Sequence, residues 1–193
     1  MKLTASSVSD LLAAFRSPEP TPGGGSAAAL AGAAGASLLA MVAGLPKPKA
    51  ASGAELERLK DAGIRCSALA TRLEALIDED SDAYGLVLNA FRLPKATGEE
   101  KAARTTAVQR ALTAATESPL QVMRHCAEAL ATAPAVSELG NPNASTDAQV
   151  GVALLRAALR GAQANVEINL GSLKDAEYVS RVRAETARLA TGA

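Results

Sequence analysis

Apolar positions recur every three or four residues along most of the chain, and clusters of proline, glycine and serine interrupt the pattern. From about Ser7 to Arg16 the spacing of Val8, Leu11, Leu12 and Phe15 predicts a helix, and the run Ser17-Pro-Glu-Pro-Thr-Pro22 stops it. Gly23-Gly-Gly-Ser26 then leads into a segment with no charged residue between Pro20 and Pro46. That is longer than the roughly 20 residues a membrane span needs. Its large apolar residues are few, however, and lie among alanines and Gly32, Gly35 and Gly44. The segment is read as a helix surrounded by other helices, apolar all round because it has no solvent face.

Beyond Pro46 and Pro48, Ser52 is a suitable N-cap for a long helix. Steps of three and four pick out Leu56, Leu59, Gly63, Cys66, Ala70, Leu73, Ile77, Asp80, Tyr84, Val87 and Phe91, a seam expected to be buried to its end. Pro94 closes that helix, and Thr97-Gly-Glu-Glu100 is a capping box for the next. Ser118-Pro119 reads as the N-cap and first position of a further helix running to about Ala133. After the break from Gly140 to Thr146, with Thr146 and Gln149 as a second capping pair, a helix is expected from about Asp147 to Leu170. Gly171-Ser172 separates it from a last one ending near Leu189. No run of β-branched or aromatic residues reads as a strand. The expectation is one all-α domain over residues 1–193, a bundle of six to eight helices around the alanine- and glycine-rich one.

Composition narrows the function. The 193 residues hold 20 Lys and Arg against 20 Asp and Glu, so no excess of cations is available to neutralise phosphates, and nucleic acid is not an expected partner. Aromatic residues make up 2%, too few for a base-stacking platform. Apolar residues make up 48%, nearly half of them alanine, which lets helix backbones approach closely and points to tight packing and an extensive subunit interface. Cys66 and Cys126 are the only thiols, and Lys2 is followed by Thr4, Ser6, Ser7, Ser9 and Asp10 rather than a signal-peptide core. A reduced, cytoplasmic protein is expected, with no membrane partner.

Three places carry polar residues that packing alone would not put there. Gly23 to Ser26 open a helix, where free amides and the helix dipole suit an anion. No Lys-Ser/Thr pair follows, which excludes a Walker A loop, and the proline-rich run before Gly23-x-Gly25-x-x-Ala28 cannot be the strand of a dinucleotide site. A tight turn under a buried helix is the alternative. Asp80 falls in the apolar seam, unlike Glu79 and Asp82, so its carboxylate must be paired, hydrogen-bonded or protonated. It is either a structural partner or an acid/base or ligand-binding group. Asn165 and Asn169, one turn apart on a face with Leu154, Ala158 and Gly161, suit either recognition of a polar heterocycle or a bonded helix contact. Asp147 shares their helix but lies about 27 Å from Asn165 along its axis, so one compact site within a subunit cannot use both without a bridging element or a second subunit. His125 is the sole histidine, which leaves no catalytic triad or two-histidine zinc site, and no metal is expected.

Pro22-Gly-Gly-Gly-Ser26, Asp78-x-Asp80-x-x-Ala83-Tyr84, Leu93-Pro-Lys95, Gly140-Asn141 with Asp147, and Asn165-Val-x-Ile-Asn-Leu170 stand in an order that resembles the cyclodeaminase/cyclohydrolase family. That family comprises the C-terminal domain of formiminotransferase-cyclodeaminase and stand-alone methenyltetrahydrofolate cyclohydrolases, and the resemblance runs from about residue 7 to 190. It implies an all-helical homodimeric enzyme whose substrate is a tetrahydrofolate derivative, without a further cofactor. One reaction eliminates ammonia from 5-formiminotetrahydrofolate to give 5,10-methenyltetrahydrofolate; the other opens the methenyl form to 10-formyltetrahydrofolate. The resemblance implies that Asp80 and Asp147 are the catalytic carboxylates, either of which suits the amino and ring N–H edge of a pterin. Asn141, Asn143, Asn165, Asn169 and Tyr84 would line the substrate, and Lys95 or the amides of Gly24, Gly25 and Ser26 would hold its anionic tail.

One stretch departs from the family pattern. Leu45-Pro-Lys-Pro-Lys-Ala-Ala51 replaces a basic Leu-Thr-x-Gly segment, with Lys47 and Lys49 as substitute charges. A catalytically lapsed, folate-binding or purely dimeric member is the alternative that this change motivates; a helical scaffold is a third.

Overall fold

A computed structural model describes residues 2–46 and 52–191; the substitute charges Lys47 and Lys49 lie outside the described residues. Among the described residues six α-helices run in chain order: α1 (Val8–Arg16), α2 (Gly24–Gly44), α3 (Gly53–Phe91), α4 (Gly98–Leu139), α5 (Ser145–Leu170) and α6 (Ala176–Thr191). Short 3-10 turns at Leu3–Ala5 and Pro142–Ala144 are the other helical elements, and no strand occurs among the described residues.

The local start signals operate as the chemistry predicts. Ser7 accepts from the Asp10 amide at the head of α1. Both Ser52 with Glu55 and Thr97 with Glu100 form reciprocal capping boxes on α3 and α4. The pairing expected of Thr146 and Gln149 is absent. The turn at Pro142–Ala144 runs directly into α5, whose N-cap is Ala144, and the turn carbonyls of Asn141 and Pro142 take the amides of Ala144 and Ser145.

α4 corrects the expectation of two helices. It continues through Pro119 and Pro134 for 42 residues, so Ser118 caps nothing and its hydroxyl is buried without a partner. Proline at 119 removes the amide that would bond the Ala115 carbonyl one turn back. Asn169 of α5 supplies the missing donor, its Nδ2 lying 2.9 Å from the Ala115 oxygen.

α2 lies against α3, α4 and α5. It is long and apolar enough to cross a membrane, yet Ser26, Ala29, Ala36 and Leu39 among its residues are wholly buried within the protein. Small residues set the spacing. A Cβ on Gly35 would meet the Gly151 carbonyl at 2.7 Å, and one on Gly151 would meet the Gly35 carbonyl at 3.0 Å, so α2 and α5 touch backbone to backbone. The same pair of helices brings Gly161 against Ala28 and Asn165 against Gly24, an antiparallel arrangement.

The seam on α3 is buried at Leu59, from Cys66 to Ile77 and again at Val87, but Leu56, Tyr84 and Phe91 are 49%, 40% and 50% exposed. Past Asp80 the helix leaves the main core and forms a hairpin with α4. A separate small cluster there selects Val87 and Ala90 with Val108, Ala111, Leu112 and Ala115. α6 docks through Val182, Thr186 and Leu189, and Arg124 of α4 clamps it with bidentate bonds of 2.7 and 2.9 Å to Glu185.

Candidate functional site

The N-cap of α2 is Gly23, which has no side chain to offer the free amides of the first turn. A side chain from another helix does this work. The Asp80 carboxylate of α3 accepts from the Ser26 amide, and the Ser26 hydroxyl stands 3.2 Å from its Oδ2. The approach requires glycine at position 25, because a Cβ there would collide with both carboxylate oxygens. On the other side, a Cβ on Gly24 would stand 3.3 Å from Nδ2 of Asn165. Asn165 donates that nitrogen to the Gly161 carbonyl at 2.8 Å.

Burial pushes the Asp80 carboxyl above its ordinary value, and the Ser26 hydroxyl and amide oppose part of the rise. Among the described residues no charged side chain contributes to the shift. The group is half-buried, so it combines a raised proton affinity with access from outside. A hollow of about 480 Å³ opens beside this stretch of α3, walled by Pro22, Asp78, Ser81 and Asp82 and not by Asp80 itself.

The residues expected at the site fall into separate groups. Gly24, Gly25, Ser26, Asp80 and Asn165 meet at the head of α2, and the exposed Tyr84 lies one turn beyond Asp80 on α3. Asn141, Asn143 and Asp147 belong to the tail of α2, where Asn141 donates to the Pro46 carbonyl at 2.7 Å and accepts from the Asn143 amide. The length of α2, 21 residues or about 31 Å, separates the two ends. Lys95 lies exposed past the end of α3 at Phe91, which is itself about 17 Å further along the helix than Asp80. Asn169 spends its amide nitrogen on Ala115. Ser26 is wholly buried and its amide is taken, so its donors face Asp80 rather than an external anion.

Two further residues belong with this group: Ser81, which the sequence reading missed, and Asp78, which it quoted in a motif without a role. Ser81 lies 3.1 Å from Ser26, hydroxyl to hydroxyl. Asp78 accepts from the Leu3 amide and the Thr4 hydroxyl, tying the N-terminal turn to the rim of the hollow. Ser81 does not stand out by period or type, and only the crossing of α2 over α3 singles it out; Asp78 is singled out by the N-terminal turn bonded to it.

Other concavities offer less chemistry. One of about 580 Å³ lies at the far end of α2 and is mainly apolar; its charged side chains, Glu57 and Lys60, pair with each other at 3.8 Å in solvent. His125 borders a polar cleft with Arg72, Glu79 and Glu117, and burial lowers its proton affinity. Cys66 and Cys126 are free and buried. Among the described residues no group of three His, Cys, Asp or Glu is placed to hold a metal ion.

Comparison with known proteins finds relatives of this chain. The family described as formiminotransferase-cyclodeaminase matches residues 7–188. A methenyltetrahydrofolate cyclohydrolase of Methylorubrum extorquens is 40% identical over 171 residues, covering 89% of this chain and 82% of the relative. The formimidoyltransferase-cyclodeaminase of Gallus gallus is 34% identical over 88% of this chain, which corresponds to 31% of that longer protein. The crystal structure of formiminotetrahydrofolate cyclodeaminase from Thermotoga maritima has the same fold, with a TM-score of 0.86, 99% and 91% of the two chains covered, and 22% identity.

Proposed function

As the chain belongs to the formiminotransferase-cyclodeaminase family, we propose that it is an enzyme of tetrahydrofolate one-carbon chemistry, acting first as a cyclohydrolase that opens 5,10-methenyltetrahydrofolate to 10-formyltetrahydrofolate. The observation that carries this reading is the half-buried Asp80 at the head of α2, in a chain that matches most of the length of a relative of that name. Cyclodeamination of 5-formiminotetrahydrofolate is the second reading, favoured by the family match and the longer relatives.

Asp80 is assigned the proton transfers. Water adds to the bridging carbon of the methenyl cation and gives one proton to the Asp80 carboxylate, forming a tetrahedral adduct. The adduct then breaks its bond to N5, which takes the proton back from Asp80, while the hydroxyl proton leaves to solvent as the formyl carbonyl forms. One water enters and one proton is released. In the second reading N10 closes on the formimino carbon, and the same carboxyl helps protonate the departing amino group as ammonia. A carboxyl with raised proton affinity suits both directions of transfer near neutral pH.

Asn165 beside Gly24 is assigned to the polar edge of the pterin, and Tyr84 to its flat face. The reading needs no cofactor or metal. It includes a homodimer with α2 at the buried centre of each protomer. Support comes from exposed Leu86, Phe91 and Leu93 at the end of the α3–α4 hairpin, and from the separation of Asp147 and Lys95 from Asp80 within one chain. A soluble cytoplasmic protein is part of the same reading.

The test follows the near-ultraviolet absorbance of 5,10-methenyltetrahydrofolate on adding the protein. The expected result is loss well above the buffer rate. No acceleration with methenyl and formimino substrates alike refutes the enzyme reading, and sedimentation of a monomer at micromolar concentration refutes the dimer.

A further inference from the structure

Ser26 is wholly buried, yet its hydroxyl has three oxygen neighbours: the Ile77 carbonyl at 2.8 Å, Ser81 Oγ at 3.1 Å and Asp80 Oδ2 at 3.2 Å. A hydroxyl has one proton to give and two lone pairs to receive with. The Ile77 carbonyl lies inside α3, where the helical amide four residues on already serves it, so its bond from Ser26 is additional. That makes the Ser26 proton free to turn at small cost.

We propose that Ser26 is a positioning residue for Asp80, a buried hydroxyl rotor that donates to the carboxylate and accepts from the carboxylic acid, with Ile77 and Ser81 as its alternate partners. When Asp80 is ionised, the Ser26 proton points to Oδ2, and the Ser81 hydroxyl donates to Ser26. When Asp80 takes a proton, its own O–H points to Ser26, whose proton turns to the Ile77 carbonyl. Neither state strands a buried polar atom, so the carboxyl keeps its place against Gly25 while its charge changes. The inference rests on the reading of Asp80 as the group that moves protons.

The surroundings leave this role to Ser26. α2 brings no titratable group, and α5 brings the neutral Asn165. Asp78 and Asp82 stand on the same helix as Asp80, the former already bonded to Leu3 and Thr4, and Lys2 reaches the same hollow from the N-terminal turn. Hydrogen bonds to an ionised acceptor are roughly twice as strong as neutral ones, so losing the rotor falls mainly on the carboxylate.

The test is a pH titration of the full chain labelled with carboxyl-13C aspartate, using Asp80→Asn to assign the Asp80 signal, together with the pH–rate profile. Ser26→Ala is expected to raise the Asp80 midpoint by about one pH unit, a tenfold gain in proton affinity. The limb of the rate profile that reports Asp80 moves by the same amount, whether the group acts as acid or base. Ser81→Ala moves it less, and Ser26→Cys, which keeps the volume and a weak donor, falls between Ala and the parent even if the Ala variant folds poorly. An unmoved Asp80 midpoint in the Ala and Cys variants, or a shift in Ser81→Ala as large as in Ser26→Ala, overturns the proposal. The 13C midpoint decides the rotor without turnover, whereas absent turnover with a shifted midpoint overturns only the enzymatic reading.

Discussion

Asn169 of α5 donates its side-chain amide to the Ala115 carbonyl of α4, the one carbonyl that Pro119 leaves without its helical partner. The bond joins two helices and lets α4 pass a proline without ending. Asn169→Leu is expected to cost about 1–3 kcal/mol, since it strands a buried acceptor. Urea unfolding measures the loss. Adding Pro119→Ala restores a backbone donor to Ala115, so the double variant should recover much of it; strictly additive losses would refute the assignment.

Asp80→Asn separates chemistry from folding. Turnover of the methenyl substrate should fall by about 100-fold or more, the usual scale for removing a general acid or base. Stability at pH 7 should hold or rise, because the carboxyl has a raised proton affinity in the folded state. The folded protein then binds the proton more tightly than the unfolded chain, and the parent loses stability as pH rises from the ordinary aspartate value through the raised one. The Asn variant should lack that slope in denaturation series across this range.

Gly25→Ala tests the contact between α2 and α3. The added methyl collides with the Asp80 carboxylate, which must move away from Ser26. A displacement of about 1 Å at an acid/base group costs on the order of 100-fold in rate. Steady-state kinetics should show the loss in kcat, with far-ultraviolet circular dichroism still reporting a helical protein.

Glu185→Gln weakens the docking of α6. The Arg124 guanidinium holds the Glu185 carboxyl below the usual glutamate range, chiefly through their hydrogen bonds. The pair therefore stabilises the protein above the ordinary glutamate value, and that stability is lost as pH falls through the lowered one. Both side chains are partly exposed, so the cost at pH 7 should be about 1 kcal/mol. Thermal unfolding of parent and variant should converge as pH falls through the lowered value.

The helix starts at Ser52 and Thr97 were legible in the sequence because each cap and its amide lie three residues apart, and the start near Ser7 because apolar residues recur at helical spacing from Val8. Ser118-Pro119 misled for the converse reason: the donor that rescues the proline is Asn169, on another helix. Tyr84 and Phe91 continue the apolar period of α3, but the period does not record that the main core stops short of them.

Asp80 was conspicuous as a carboxylate in an apolar seam, and the glycine run that opens α2 as a helix head with free amides. Spacing along the chain determined both, together with the all-helical fold, since those properties depend on neighbours within a turn or two. That the two features belong together, with Asp80 serving the amide that Gly23 cannot cap and Gly25 making room for it, was decided by the crossing of α2 over α3. The same crossing admitted Ser81 to the group, while α2's length kept Asp147 and Asn141 at its far end. Such contacts arise from the packing of small residues on several helices at once, and no local period carries that information.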